Sequence, residues 1–92
     1  MKYEWDDAKN STNIIKHGVS LEEASAIFND PMMVSKLDLR YAYGEERWFS
    51  VGVTKKGMVT MVAHLYFDEH QEPVIRIISA RKATPKEVQN YE

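Results

Sequence analysis

The segment 58–67 constrains the fold most, because its residues alternate in character with the period of a β-strand. The odd positions are all apolar: Val59, Met61, Ala63, Leu65 and Phe67. The even positions are mixed: Met58, Thr60, Val62, His64 and Tyr66. Successive side chains of a strand point to opposite faces of its sheet. The alternation therefore predicts that the odd set lies in the core and that His64 and Tyr66 lie on the other face.

Three further segments carry strand signals. Residues 47–54 lead through Lys-Lys-Gly at 55–57, which is typical of a hairpin turn, into this strand. Residues 74–80 form a run rich in β-branched side chains, and residues 32–37 have the weak patterning of an edge strand. The sequence predicts an antiparallel sheet of about four strands.

Helix signals precede the sheet. Asp6 or Asp7 can cap a first helix that ends at Gly18, a favourable residue after a helix C-terminus. The capping box at 20–23 begins a second helix, and the Asn-Asp-Pro sequence at 29–31 ends it. We therefore expect two helices in the N-terminal third.

A second capping box at 84–87, with Pro85 at the favoured first position, predicts a short C-terminal helix. The whole pattern is α+β: two N-terminal helices, an antiparallel sheet and a final short helix. We expect the first two helices to cover one face of the sheet. The opposite face should be at least partly open, and we call it the open face.

Size and composition bound the class of protein. With 92 residues the chain has room for one core, so we expect a single domain over residues 1–92. It has no cysteine, which excludes disulfides and thiolate metal sites. No window approaches the roughly 18 apolar residues of a membrane span, and no signal-peptide pattern is visible. We expect a cytoplasmic protein without contact to membranes.

Charge is unevenly distributed along the chain. The net charge is −2, whereas nucleic-acid-binding domains usually carry a basic surface. Residues 1–46 hold five Lys/Arg against nine Asp/Glu, and residues 47–92 hold seven against five. This asymmetry permits a local basic site on an acidic body.

The cations of that site lie in and after the run 74–80. Arg76 interrupts the run, and Arg81 and Lys82 follow it. An unpaired buried charge is costly, so Arg76 should face water, a partner or an anion. Turning Ile75 and Ile77 inward aims Arg76 at the open face. Arginine binds phosphate through a bidentate fork, so these cations indicate a phosphate-bearing ligand.

Several motifs follow one another along the chain: Trp5-Asp6, Lys9, Asn13, Lys16-His17-Gly18-Val19-Ser20, Glu22-Glu23-Ala24, Gly44-Glu45-Glu46-Arg47 and the block from Arg76 to Lys82. In this order they resemble the BrnT toxin family of type II toxin–antitoxin systems over nearly the whole chain. The resemblance implies a small RelE-like ribonuclease that a BrnA-like antitoxin holds in check. It also implies that the antitoxin, not this chain, binds operator DNA.

Cleavage of RNA by side chains needs a group that accepts a proton, cations that stabilise the phosphate, and a proton donor. His64, with an ordinary pKa near 6.5, is the candidate for proton transfer. Arg76, Arg81 and Lys82 are the candidates for binding phosphate. No cluster of carboxylates and histidines has metal-ligand spacing, so we expect no metal or other cofactor.

Further candidates for RNA contact are Lys16, His17, Arg47, Tyr66 and Tyr91. The resemblance implies a basic residue after the strand that holds His64. This chain instead has Leu65, Tyr66 and Phe67 at these positions, which predicts weaker binding of phosphate. Tyr66 could offset the loss by stacking on a base, worth about 1–3 kcal/mol, or it could equally be a packing residue.

Each candidate has a structural alternative. His64 could be a half-buried histidine hydrogen-bonded across the sheet, and Arg76 could pair with Glu72 or another acid. Arg81 and Lys82 could be a solvated pair, and only one of them reaches the open face unless a β-bulge re-aims them. Lys16 and His17 suit the C-terminal end of a helix dipole, and Arg47 could pair with a neighbouring acid.

Two other functions remain open at this level. The chain could be a degenerate toxin that binds a partner protein through an open face with Trp48, Tyr66 and the cations, without catalysis. A DNA-binding regulator acting alone is the weakest reading, because no recognition helix with a basic face is visible.

Overall fold

The computed structural model describes residues 1–39 and 46–91. The helices are α1 (Asp7–His17), α2 (Leu21–Ser25), which continues into a 3-10 turn (Ala26–Asn29), and α3 (Pro85–Tyr91). The strands are β1 (Lys2–Glu4), β2 (Val34–Leu37), β3 (Arg47–Val53), β4 (Val59–Glu69) and β5 (Glu72–Lys82). Two N-terminal helices and a short C-terminal helix are thus confirmed. The first part of the motif 44–47 lies outside the described residues.

The five strands form one mixed sheet in the order β1-β5-β4-β3-β2. From β2 to β5 the pairing is antiparallel, as predicted. β1, however, is parallel to β5, with Glu4 opposite Arg76. The sequence indicates a short extended segment at 3–5, but the expected sheet of about four strands did not include it. Three residues are too few to show an alternation, and the partner strand lies near the other end of the chain.

The local signals at the helix ends are confirmed. The Asp6 carboxylate accepts a hydrogen bond from the Lys9 amide at 3.0 Å and caps α1. Gly18 ends the helix in the left-handed region, with φ of 69°. Ser20 Oγ accepts from the Glu23 amide at 3.0 Å and caps α2. Each cap satisfies backbone groups that a helix end leaves without an intrahelical partner.

Asn13 fixes α1 to the sheet. Its side-chain amide donates to the carbonyls of Val19 and Ala80, both at 2.8 Å, and accepts from the Ala80 amide at 3.0 Å. Asn13 is buried, so these bonds satisfy a polar group that would otherwise be costly to enclose. They hold the helix layer against β5.

The core lies between the helix layer and the sheet. Its centre is a cluster of buried apolar side chains: Val19, Leu21, Ala24, Ile27, Val62, Ile75, Ile77 and Ala80. Ile75 and Ile77 face inward, as predicted. Val62 belongs to the same cluster, so the even positions of β4 face the helices. The prediction that the odd positions fill this core, and that His64 faces away from it, is wrong.

The alternation misled because both faces of β4 are partly buried. On the odd side, Met61 and Ala63 are buried. On the even side, Thr60 and His64 are buried polar residues with hydrogen bonds, from the Thr60 hydroxyl to a carbonyl at 3.1 Å and between His64 and Ser50 at 2.6 Å. A polar residue with a partner can face a core, so counting apolar residues did not identify the inward face.

The strand registers give the open face the following side chains: Arg47, Phe49 and Val51 from β3; Met61, Ala63, Leu65 and Phe67 from β4; and Val74, Arg76, Ser79 and Arg81 from β5. α3 contacts β3 and lines this face of the sheet together with Phe49 and Met61. No helix within the described ranges is long and apolar enough to cross a membrane.

Candidate active site

A β-bulge in β5 brings two of the predicted arginines to the same face. Ala63 pairs with Ser79, but the next residue, His64, pairs with Ile77, so Ile78 is an extra residue in β5. Strict alternation would put Arg76 and Arg81 on opposite faces, because five positions separate them. The extra residue shifts the alternation by one position, so that Arg81 returns to the face of Arg76. Both arginines therefore lie on the open face.

Arg76 belongs to a row that crosses three strands. Leu65 on β4 lies opposite Arg76 on one side and opposite Arg47 on the other. Neighbouring strands are about 4.8 Å apart, so the backbones at Arg47 and Arg76 are separated by about 10 Å. Arg81 lies opposite Met61, four residues further along β4 and thus about 13 Å from this row. The three arginines form a wide basic triangle.

The Arg76 side chain is exposed by 57% and pairs with an acid from β1. Its Nε donates to Glu4 Oε1 at 2.7 Å, and its Nη2 lies 2.7 Å from the same oxygen in the ion pair. The guanidinium also lies 5.8 Å from the ring centroid of Phe67, within the range of a cation–π contact. The alternative in which Arg76 pairs with an acid is thus confirmed, with Glu4 in place of Glu72, while the guanidinium stays accessible on the open face.

Arg81 makes a forked ion pair with α3. Its Nη1 and Nη2 donate to the two carboxylate oxygens of Glu87 at 2.8 and 3.0 Å. Glu87 also accepts from the Thr84 amide at 2.8 Å, which completes the second capping box. The hydrogen bonds from Arg81 are the main reason that the pKa of Glu87 is lowered. A bidentate carboxylate occupies the fork in the way a phosphate would.

Lys82 does not join these arginines. It lies opposite Thr60, whose side chain shares the face of Val62 and the helices. Lys82 is exposed at the end of β5. Of the pair Arg81 and Lys82, only Arg81 reaches the open face, as the alternation required.

His64 lies in the helix-facing core with a relative exposure of 0%. Its Nε2 is 2.6 Å from Ser50 Oγ, which in turn is 2.7 Å from Ser35 Oγ. Its ring packs edge-on against Phe28 and Tyr66, with centroids 4.8 and 4.7 Å apart. The prediction that His64 shares the open face with Arg76 is therefore wrong, and the alternative of a histidine hydrogen-bonded across the sheet is the one observed.

Burial also changes the protonation of His64. Desolvation lowers its pKa to about 4, so the imidazole is neutral at neutral pH. A neutral, enclosed imidazole cannot protonate a leaving group on the opposite face of the sheet. The structure separates His64 from Arg76 and Arg81.

The family model described as "Ribonuclease toxin, BrnT, of type II toxin-antitoxin system" matches residues 5–87 of the chain. The chain belongs to the BrnT family. Membership gives this BrnT protein the role of a toxin in a type II system and implies an antitoxin partner. No curated protein sequence matches the chain significantly.

The fold of this BrnT protein is similar to that of a solved relative. The crystal structure of the Brucella abortus ribonuclease toxin BrnT, at 1.1 Å resolution, covers 91% of this chain and 97% of its own chain. The two share 24% sequence identity and superpose with a TM-score of 0.61. At this identity the likeness concerns the fold, and it agrees with the α+β architecture described above.

The remaining candidates in this BrnT protein are scattered. Lys16 and His17 are exposed in the last turn of α1, on the helix side of the sheet. Arg47 joins the open face. Tyr66 is 38% exposed on the helix-facing side, where its ring contacts Trp48 at a centroid distance of 5.9 Å. Tyr91 ends α3, and its hydroxyl donates to Asp30 Oδ2 at 2.5 Å.

Sequence reasoning missed Glu4 and the position of Phe67. Glu4 comes to Arg76 through the parallel pairing of β1, which leaves no local signal. Phe67 occupies part of the segment where the resemblance implies a cation, and it lies beside Arg76 on the open face. Within the ranges 1–39 and 46–91, no three His, Asp or Glu side chains converge as metal ligands.

Proposed function

We propose that this BrnT protein is an endoribonuclease that binds cellular RNA across its open face. One observation supports this most: the bulge at Ile78 aligns Arg76 and Arg81 on a face that Arg47 shares. Three arginines on one face of the sheet suit the phosphates of a single strand. We further propose that the fold is RelE-like and that cleavage inhibits translation and growth.

The proposed reaction is attack of the ribose 2′-oxygen on the adjacent phosphorus. The 2′-hydroxyl loses its proton, the new O–P bond forms a 2′,3′-cyclic phosphate, and the bond to the 5′-oxygen breaks. Arg76 and Arg81 stabilise the negative charge that builds on the phosphate oxygens. In this proposal a side chain takes up the 2′-proton, and no bound metal takes part. The departing 5′-oxygen receives its proton from a water molecule.

Glu4 is our candidate for the general base. Its Oε1 accepts the hydrogen bond from Arg76 Nε and makes the ion-pair contact with Nη2, and its side chain is 24% exposed. Oε2 can therefore accept the proton of a hydroxyl bound beside Arg76. Glu87 is less suitable, because both of its oxygens accept from Arg81 and its pKa is lowered. General base catalysis contributes about 10²–10⁴-fold, which is the loss we expect for Glu4→Gln.

We propose that the antitoxin is BrnA-like and that it neutralises this BrnT protein by covering the open face. A protein segment with carboxylates would compete with phosphate for Arg47, Arg76 and Arg81. The complex would contact operator DNA only through the antitoxin.

A second candidate function is a non-catalytic binding module of the same family. Two observations favour it: acids already pair with Arg76 and Arg81, and the predicted proton-transfer residue His64 is enclosed. In that case the open face would bind a partner protein and leave RNA intact.

Inducible expression in bacteria separates the two candidates. The active-toxin proposal expects growth arrest with loss of RNA integrity for the wild type, and near-normal growth for Arg76→Ala/Arg81→Ala. Lys55→Ala, in the exposed hairpin turn, is the matched control and should arrest growth like the wild type. Normal growth with soluble, folded wild-type protein would favour the binding module.

A further inference from the structure

A groove of about 400 Å³ lies on the open face between β2 and α3. Its apolar floor comes from neighbouring strands and includes Val34, Val51 and Met61. Its walls include Lys36 on β2 and two residues of α3, Lys86 and Asn90. A volume of this size is typical of a site for a small ligand rather than for a long protein segment.

The charge of the groove is positive. Arg81 lines one end of the groove, but Glu87 neutralises its charge through the forked ion pair. Lys36 and Lys86 have no ion-pair partner among the described residues, in contrast to Lys56, which pairs with Glu23. Two uncompensated ammonium groups on the rim of an apolar floor suit a ligand with a flat apolar body and an anionic group.

One wall of the groove is fixed in place. The Tyr91 hydroxyl donates to Asp30 Oδ2 at 2.5 Å, and Asp30 also accepts from the Val53 amide at 2.9 Å. These bonds hold the end of α3 against the sheet. A wall that is ordered before binding lowers the entropic cost of taking up a ligand.

We propose that this groove binds one nucleotide of the RNA, with the base against the floor of Val51 and Met61 and the phosphate at Lys36 and Lys86. The Asn90 amide can donate to or accept from the edge of the base. The inference rests on the proposed function, since it extends the RNA path from Arg76 past Arg81 toward the edge strand β2. It makes the groove a subsite that selects a base next to the cut.

Titration of the isotope-labelled protein with the four ribonucleoside 5′-monophosphates tests the site. We expect amide shifts at Val51, Met61 and Asn90, and preference for some bases over others. The variant Lys36→Glu/Lys86→Glu should raise the Kd at least tenfold, while Lys55→Glu leaves it unchanged. No shifts at millimolar nucleotide, or the same shifts with inorganic phosphate alone, would overturn the proposal.

RNA cleavage by the same variants separates the two proposals. If wild type cleaves RNA and Lys36→Glu/Lys86→Glu has the same KM and base preference, the nucleotide subsite is wrong and the ribonuclease stands. If nucleotides occupy the groove but wild type never cleaves RNA, the proposed ribonuclease fails and the nucleotide site stands. Loss of antitoxin co-purification in the lysine variant without nucleotide binding would assign the groove to the protein partner and overturn the inference.

Discussion

At the residue scale, His64 shows that burial decides what a titratable group can do. Its sequence context suggested a proton-transfer residue, but it lies in the core with Ser50 as its hydrogen-bond partner. Desolvation favours its neutral form and lowers its pKa to about 4. His64 therefore contributes to stability above pH 6.5 rather than to chemistry on the open face.

The buried histidine makes stability depend on pH. The unfolded chain binds a proton near pH 6.5, whereas folded His64 binds one only near its pKa of about 4. Folding stability should therefore fall as pH falls from about 6.5 to 4, by about 2–3 kcal/mol. Urea unfolding at pH 7.0, 5.5 and 4.5 measures this, and the fall in stability between pH 7.0 and 5.5 should be much smaller in His64→Gln. An unchanged fall in that variant would assign the effect to another group.

Glu87 and RNA compete for Arg81 in this account. Glu87→Gln removes the charge but keeps a residue suited to a capping box, so α3 should persist. We expect this variant to bind a non-cleavable 2′-deoxy oligonucleotide several times more tightly than wild type, measured by fluorescence anisotropy. Arg81→Ala should bind more weakly. Equal or weaker binding by Glu87→Gln would contradict the role given to Arg81.

At the scale of the elements, local sequence signals predicted the ends of helices better than they predicted which face of a strand points into the core. Asp6, Gly18 and Ser20 act within a few residues, so the sequence alone located the helix ends. The face of β4 depends on Ser50, which bonds His64 from a neighbouring strand. The bulge at Ile78 likewise arises from pairing between strands, and no local sequence pattern predicted it.

The final helix illustrates how few contacts can hold an element. None of the described residues of α3 is buried, and its ends are tied by the Arg81–Glu87 pair and the Tyr91–Asp30 bond. The hydrogen bond to Asp30 raises the pKa of Tyr91 and lowers that of Asp30. α3 should therefore be sensitive to single substitutions at these contacts.

Tyr91→Phe tests that view. It removes one hydrogen bond while Asp30 keeps its bond from the Val53 amide. We expect a loss of about 1 kcal/mol in unfolding free energy and faster hydrogen exchange confined to α3. Exchange that is unchanged in α3 would show that other contacts anchor it.

At the scale of the whole molecule, the sheet separates the core from the proposed RNA site. The helix side holds the core and encloses His64, whereas the open face presents Arg47, Arg76 and Arg81. The net charge of −2 conceals this arrangement, because the acids lie mostly in the first half of the chain. Composition alone therefore argued against the nucleic-acid ligand that we propose for the open face.

Binding of RNA should depend on salt through these cations. Each phosphate contact on a single strand contributes a slope of about −0.7 in log K against log salt, so three contacts give about −2. Anisotropy titrations between low and physiological salt measure the slope. Arg76→Ala should make the slope shallower by the amount of about one phosphate contact. Lys16→Ala, on the helix side, should leave the slope unchanged. A slope near zero would contradict binding by the arginines.

We propose that the open face of this BrnT protein cleaves RNA. The most direct measurement is cleavage of an end-labelled RNA by the purified protein beside Arg76→Ala/Arg81→Ala and Lys55→Ala, with folding of each checked by circular dichroism. We expect wild type and Lys55→Ala to cleave RNA but not its 2′-deoxy analogue, and the arginine variant to lose at least about 100-fold in rate. Cleavage by the folded arginine variant at the wild-type rate would contradict it.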